Sequence, residues 1–471
     1  MADHDPQGAG SAAEAAHGGA PIGAEAAALY LRAGTLQLPA QPPLALYVHL
    51  PWCLRKCPYC DFNSHELRPA RSRQAPAPRR GGARFEIPGA SAQDHRAPVA
   101  PPLLRSTSGP GPADALLPEA RYLDALRADL EASLPLVWGR PIVSVFIGGG
   151  TPSLFSPAGI ERLINDVRAL LPLQPDCEIT LEANPGTFER ERFRAYRAAG
   201  VTRLSLGVQS FDDRCLAALG RVHDAAQARA AALEAAEAFD TFNLDLMYAL
   251  PGQTPAMLDA DLDAALALRP PHLSLYQLTI EPNTLFASRP PPLPDDDAAS
   301  AMLDRIVART TEAGLQRYEV SAFARPGHRC RHNLNYWQFG DYLGIGAGAH
   351  GKLSFPHRIV RQVRWREPQR YIEQALAGQP VANAHEVKRA ELPFEFMLNV
   401  LRLADGVERA LFTQRTGLPP SAIEAAVRQA QQQGLLCEGG PQLRATARGF
   451  DFLSDLQALF LPAARPARGS G

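Results

Sequence analysis

Cys53, Cys57 and Cys60 fall within eight residues in the stretch Tyr47-Val48-His49-Leu50-Pro51-Trp52-Cys53-Leu54-Arg55-Lys56-Cys57-Pro58-Tyr59-Cys60-Asp61-Phe62. Thiolates are soft ligands that suit zinc or an iron–sulfur cluster. Structural zinc usually takes four ligands, commonly in paired C-x2-C sets. Here a C-x3-C-x2-C spacing supplies three, and a cubane held by three thiolates keeps one iron free for an outside ligand. Arg55 and Lys56 are expected to favour thiolate over thiol. Further along, Gly148-Gly149-Gly150-Thr151-Pro152 is not a G-x-G-x-x-G dinucleotide fingerprint, but its glycines let the backbone approach a polar ligand closely.

The elements that must position these residues alternate. Hydrophobic patterning predicts strands at Ala45 to His49, Val143 to Ile147, Ile179 to Ala183, Leu204 to Val208, Phe242 to Tyr248 and Leu273 to Leu278, with a last short one at Tyr318 to Ser321. Between them it predicts helices at Arg121 to Leu134, Ala158 to Leu171, Arg190 to Ala199, Asp212 to Leu219, Ala225 to Phe239, Met257 to Leu268 and Ala298 to Ala313. Such alternation indicates a parallel sheet with helical crossovers, and apolar strand runs fit strands buried on both faces. The fold class is therefore α/β, a full or partial (β/α) barrel, whose active site lies at the C-terminal ends of its strands. The cysteines, the three glycines, Glu182, Gln209 and Asp245 all fall at or just beyond such ends.

The chain has 471 residues, 46% of them hydrophobic, and a net charge of −1. It is long enough for a large domain and a smaller one, and its charge offers no general attraction to nucleic acid or anionic lipid. No run of about 18 apolar residues marks a membrane helix, and the N-terminus carries Asp3, Asp5 and Glu14 ahead of its first arginine, Arg32, unlike a secretory or mitochondrial leader. A cytoplasmic protein that is not integral to a membrane is expected. Seven cysteines in a reducing compartment suggest metal or catalytic thiols rather than disulfides.

Four further segments complete the plan. Residues 1–42 read as a loose leader and 43–385 as the barrel. Residues 68–118 carry ten prolines, eight arginines and three acids, a composition expected for a disordered surface insertion. Residues 386–461 change character, with helices at Leu392 to Leu403, Glu408 to Thr416 and Ser421 to Gln433, a hairpin around Gly439 and Gly440, and a final helix at Arg448 to Leu461. This reads as a small, mainly helical, winged-helix-like domain, followed by a tail at 462–471. With eight basic and nine acidic residues it has no face suited to DNA, so it is expected to be a lid or interaction domain.

The cysteine loop after the first strand resembles that of the radical SAM superfamily, and from about Leu44 to Leu461 the chain resembles the HemW group of haem chaperones, relatives of the oxygen-independent coproporphyrinogen III dehydrogenases (HemN). The resemblance implies a [4Fe-4S] cluster on Cys53, Cys57 and Cys60, with S-adenosylmethionine (SAM) on the open iron and reductive cleavage to a 5′-deoxyadenosyl radical as the superfamily's chemistry. It also implies that Tyr47 lies beside SAM, that Gly149, Gly150 and Thr151 contact it, and that Glu182 and Gln209 hydrogen-bond it. Arg221 would meet its carboxylate and Asp245 its ribose.

Two functions follow from the resemblance, haem binding and delivery or coproporphyrinogen III oxidation. The dehydrogenases carry a fourth cysteine two positions after the third, where this chain has Phe62, and they have a characteristic N-terminal region that the leader here does not resemble. No coproporphyrinogen dehydrogenase activity is therefore expected, while productive SAM cleavage stays open. His332-Asn333-Leu334-Asn335-Tyr336-Trp337 matches the group's H-N-x-x-Y-W motif, associated with haem. Imidazole is the commonest haem-iron ligand and aromatic rings pack on porphyrin faces. His332, Asn333, Tyr336 and Trp337 are thus the haem candidates, with His350 a weaker ligand. Only a neutral imidazole can ligate, so haem binding by His332 is expected to weaken as pH falls through about 6.5. Cys177, Cys215, Cys330 and Cys437 read as ordinary thiols, and the run Gly344-Ile345-Gly346-Ala347-Gly348 as a site of close packing. Expected partners are haem-acceptor proteins such as respiratory haemoproteins, and an electron donor. A homodimer and transient membrane contact stay open.

Overall fold

The computed structural model describes residues 29–30, 34–67, 117–186 and 189–462. One sheet of twelve strands dominates it. Its first six strands are β1 (Leu44–Leu50), β2 (Ile142–Gly149), β3 (Leu173–Ala183), β4 (Arg203–Gln209), β5 (Phe242–Tyr248) and β6 (His272–Gln277), paired in that order and all parallel. Two short strands, β7 (Gln316–Arg317) and β8 (Ala322–Ala324), finish this edge, β8 lying antiparallel to β6 and β7 outside it. On the other side β9 (Asp341–Ile345) runs parallel to β1. A wing of antiparallel strands follows, β10 (His350–Phe355), β11 (Arg358–Arg364) and β12 (Val381–Glu386). The strand order leaves β12 and β7 at two separate edges, so the barrel is partial.

Crossover helices cover the outer face: α1 (Glu119–Val137), α2 (Pro157–Leu170), α3 (Glu189–Ala199), α4 (Ala225–Ala238), α5 (Pro255–Ala267) and α6 (Asp296–Glu312). Their starts are written locally. Ser156 accepts from Gly159 N with Pro157 at the first helical position, and Asp224 forms a capping box with Gln227. Strand alternation divides the side chains. Leu46, Val48, Val145, Ile147, Leu181, Leu204, Leu206 and Leu244 join one apolar core with helix residues such as Leu126, Ile164 and Ala232. The intervening positions, among them Tyr47, Ser144, Phe146, Glu182, Ser205 and Asp245, face the concave interior.

Several expectations are corrected. Tyr318 to Ser321 is not a strand but the connection between β7 and β8, and Tyr318 is buried there by packing and hydrogen bonding rather than by pairing along its length. The β9–β12 wing escaped the sequence reading because its strands bury charged residues. Asp129 and Arg364 are both fully buried and paired at 2.9 Å, and Asp341 bonds Lys352 at 2.9 Å and Arg140 at 2.8 Å. Residues 34–42 are not loose. Leu36 N and Leu38 N donate to His357 O and Pro356 O of the β10–β11 turn, and Leu36 is buried. The disorder expected of residues 68–118 concerns a segment outside the described residues except for Leu117 and Pro118, which lead into α1.

Beyond β12 a second core gathers Phe396, Met397, Val400, Phe412, Ile423, Val427, Leu436 and Leu456. Helices Leu392–Val400, Ala410–Thr416 and Ser421–Gln432 carry most of it. The small two-stranded sheet pairs Val407–Glu408 with Gln442–Leu443, and the chain turns through Gly439 and Gly440 at positive φ. The expected single last helix is two short ones, Ala447–Asp451 and Leu453–Ala458, broken at Phe452. Among the described residues no helix is long and apolar enough to cross a membrane.

Candidate functional site

The cysteine loop leaves β1 through Pro51 and Trp52–Cys53 and returns at His65–Glu66, which pairs with Trp52–Cys53. It is fastened to the barrel from several sides. Gly150 N donates to Leu50 O and Thr151 N to Trp52 O, both at 2.8 Å, and Phe286 N donates to Pro58 O at 3.0 Å. Each thiol has a polar neighbour. Thr151 Oγ1 lies 3.7 Å from Cys53 Sγ, Arg221 Nη1 3.6 Å from Cys57 Sγ, and Ser64 Oγ 3.5 Å from Cys60 Sγ. Lys56 does act toward the thiolate at Cys60, as expected of the basic flank, but it is outweighed. Burial outweighs charge, pushing Cys53 up to about 11 and Cys60 upward; Lys56 spends its ammonium on Phe62 O. The cation closest to the loop's sulfurs is Arg221, which the sequence places 161 residues after Cys60.

Around the loop stand the other rim residues. Glu182 Oε2 accepts from Gly149 N at 3.0 Å. Asn184 Nδ2 donates to Thr151 Oγ1 at 2.8 Å, while Arg221 Nη2 donates to Asn184 Oδ1 at 2.6 Å and to Gly207 O at 2.9 Å. Arg221 Nε is buried with no hydrogen-bond partner. Gln209 sits at φ 68° where β4 bulges against β5, a backbone strain of the kind held at functional sites. Asp245 Oδ2 accepts from Ser205 Oγ and Oδ1 from Asn243 Nδ2, each at 2.8 Å, and burial pushes its pKa up. Close approach of protein accounts for part of the glycine requirement. A Cβ on Gly149 would press on the His49 ring and one on Gly150 on the Pro51–Trp52 backbone. Gly344, Gly346 and Gly348 are likewise packed tightly, against His350, His49 and Asn63.

The H-N-x-x-Y-W motif forms a short helix, α7 (Arg331–Trp337), lying against β1, β2 and β9 and the first helix of the C-terminal domain. Glu178 Oε1 accepts from Arg331 N at 2.9 Å and His332 N at 3.4 Å, and the Cys330 thiol donates to the same oxygen at 3.5 Å. Asn333 hydrogen-bonds that thiol through its backbone. His332 points inward. It is 9% exposed, its Nδ1 is 3.1 Å from Ser144 Oγ, and its ring is 5.0 Å from Phe146 and 6.5 Å from Tyr47. Burial pushes its pKa down to about 3, so the expected titration near 6.5 is corrected: the ring stays neutral through that range. Tyr336 and Trp337 have other neighbours. Tyr336 lies 4.9 Å from the Tyr342 ring, and Arg402 of the C-terminal domain covers Trp337 at 4.4 Å. Gly149, Thr151, Glu182, Arg221 and the cysteine loop are thus joined by hydrogen bonds, whereas His332 on one side and Tyr336 and Trp337 on the other have different neighbours. His350 opens β10, half-buried.

Comparison with known proteins bears on both regions. Residues 121–265 match the radical SAM superfamily and residues 387–452 the HemN C-terminal domain. The heme chaperone HemW of Escherichia coli is 43% identical over 422 residues, 89% of this chain and 98% of its own length. The chain belongs to the HemW family. The HemW of Mycobacterium tuberculosis is 36% identical over 427 residues, covering 88% of this chain and 94% of its own. Bovine radical S-adenosyl methionine domain-containing protein 1, a mitochondrial protein, is 32% identical over 432 residues, covering 89% and 87%. Coproporphyrinogen III oxidase (HemN) from Escherichia coli superposes with a TM-score of 0.68 over 92% of this chain and 98% of its own, at 22% identity. That likeness concerns the fold alone, an α/β radical SAM barrel with a C-terminal helical domain.

For a HemW-family chain the donor set fits an iron–sulfur cluster. Three free thiols on one loop face a guanidinium and a hydroxyl. Among the described residues no three Cys, His, Asp or Glu side chains gather as the ligands of a single metal ion. Asn184, His49, Tyr59 and Asn63 were not assigned roles from the sequence. The signals were available: Asn184 is in the same tetrapeptide as Glu182, and the other three stand within the cysteine stretch or just after it.

Proposed function

We propose that this chain binds haem and delivers it to haemoproteins such as respiratory enzymes, with a SAM-coordinating [4Fe-4S] cluster on Cys53, Cys57 and Cys60. The observation that supports this most is the assembly at one rim, in a HemW-family chain, of the three thiols with Arg221, Asn184 and Thr151. The cluster, when bound, would coordinate the methionine end of SAM and supply an electron from a donor protein. The chain's own residues do the rest. Arg221 offers positive charge between the loop and β4, next to where a SAM carboxylate would lie. Asn184 fixes Thr151 and Arg221 at once. Glu182 holds the Gly149 backbone, Gln209 and Asp245 offer polar atoms to the nucleoside, and Tyr47 offers its ring. Phe62, 44% exposed where the dehydrogenases have a thiol, argues against coproporphyrinogen III oxidation. All seven cysteines are free thiols, as a cytoplasmic setting would keep them.

His332 is read as lining the barrel interior next to Tyr47, so haem bound through it would lie inside the barrel. The test is transfer. Chain loaded with one haem should pass it to apomyoglobin more slowly than serum albumin does, with a Soret band that shifts in His332→Ala. Haem loss at the albumin rate, with an unchanged band in the variant, would contradict the assignment.

A further inference from the structure

His49 has no role in the function proposed above, yet it joins Tyr47 to Asn63, just after the cysteine loop, and packs against Gly149. Its ring is buried, 4% exposed. Nε2 lies 3.0 Å from Asn63 O and Nδ1 lies 2.9 Å from Tyr47 OH. A carbonyl oxygen only accepts, so Nε2 carries the proton. In the neutral ring Nδ1 then has a bare lone pair, and the Tyr47 hydroxyl must donate to it. Burial lowers the His49 pKa to about 4, which keeps the ring neutral.

The surroundings fix the ring further. Its backbone oxygen accepts from Tyr122 OH at 2.8 Å, and that hydroxyl in turn accepts from Ala347 N at 2.8 Å. A Cβ on Gly149 would stand 2.7 Å from His49 Cε1, and one on Gly346 3.1 Å from His49 Cβ. Asn63, the acceptor, lies three residues after Cys60, and its side chain donates to Ala347 O at 2.9 Å and Arg366 O at 2.8 Å.

We infer that His49 is a positioning residue, whose imidazole ties the returning limb of the cysteine loop, through Asn63 O, to the Tyr47 ring that faces SAM. One nitrogen serves the cluster loop and the other serves the cofactor side. Gly149 packs on the ring edge and Gly346 on the His49 backbone and Cβ, so the two nitrogens are held in one fixed orientation with their hydrogen bonds.

The inference rests on the cluster and SAM reading, and two amide variants separate its halves. Gln at this position reaches as far as Nε2 and can still donate to Asn63 O, but it offers Tyr47 nothing. Asn places an oxygen near Nδ1 and can still accept from Tyr47, but it falls short of Asn63. The measurements are iron per chain after anaerobic reconstitution, and SAM affinity from the change SAM makes in the electron paramagnetic resonance spectrum of the reduced cluster. His49→Gln should keep its iron and bind SAM about tenfold more weakly, the loss expected of one buried hydrogen bond. His49→Asn should carry less iron than the parent while its remaining clusters bind SAM nearly as the parent does, because only the bond to Asn63 O is lost. If either variant fails to fold, as judged by thermal unfolding, Tyr47→Phe decides: it removes only the hydroxyl and should weaken SAM as Gln does. Variants that match the parent in both readings would overturn the role of His49 and leave the cluster reading standing. A parent chain that takes up no iron would overturn both.

Discussion

The parallel rim and the antiparallel wing of this sheet both bury charge, and they do so differently. In the wing Arg364 makes bonds to Asp129, Gln362 and Ser133, and Asp129 also accepts from Tyr371 OH at 2.9 Å. Lys352 is satisfied by Asp341 and the Phe339 and Gly340 carbonyls. At the rim Arg221 faces the Cys57 thiol, the Tyr59 hydroxyl, an amide and a carbonyl, no carboxylate among the described residues is seen bonded to it, and its Nε is unmatched. A buried ion with a complete set of protein partners holds a fold together. One with an incomplete set can take a further partner, as we read Arg221 at the rim; the wing has one such orphan of its own, Arg140 Nη1, beside its otherwise satisfied ions.

Three changes probe that contrast, in falling order of their effect on stability. Asp129→Asn leaves Arg364 charged and uncompensated, and should cost about 3–5 kcal/mol in denaturant unfolding. A loss under about 1 kcal/mol would mean the wing pair is not the anchor its geometry suggests.

The second is a pH dependence at the barrel floor. Burial holds His332 at about 3 in the folded chain, against about 6.5 unfolded. As pH falls below that value the unfolded chain takes up a proton that the folded chain refuses. The stability this ring contributes is therefore whole above about 6.5 and erodes as pH falls toward 3, by about 2 kcal/mol at pH 5. His332→Gln should flatten that part of the profile; a profile of unchanged slope would place the titration elsewhere, with His49 and His223, both lowered to about 4, the next candidates.

The third is Arg221→Lys, which keeps the charge and loses the fork. Unfolding should change by only about 1 kcal/mol, while SAM affinity of the reconstituted chain falls about tenfold at unchanged iron content. A stability loss as large as that of Asp129→Asn would erase the distinction between the two regions.

These contrasts also explain what the sequence could and could not show. Cys53, Cys57, Cys60 and the glycine run were legible because their chemistry is contiguous, and β1 to β6 because buried parallel strands read as apolar runs. The wing was not, since Lys352, Arg358 and Arg364 look exposed in a linear pattern until Asp341, Glu386 and Asp129 arrive from elsewhere in the chain. The inward turn of His332 was hidden for a similar reason. A seven-residue helix has little periodicity, and its orientation is set by Glu178 and Ser144, more than 150 residues upstream. His49 could have been noticed: on a strand it shares a face with Tyr47, two residues before it.

The central claim is that Cys53, Cys57 and Cys60 hold a [4Fe-4S] cluster, and one anaerobic reconstitution tests it, with iron, sulfide and zinc measured in the same sample. The parent chain should carry about four irons and as many sulfides, with broad visible absorption that bleaches on reduction and that Cys57→Ala lacks. One zinc per chain, with no sulfide and no bleaching, would contradict the account.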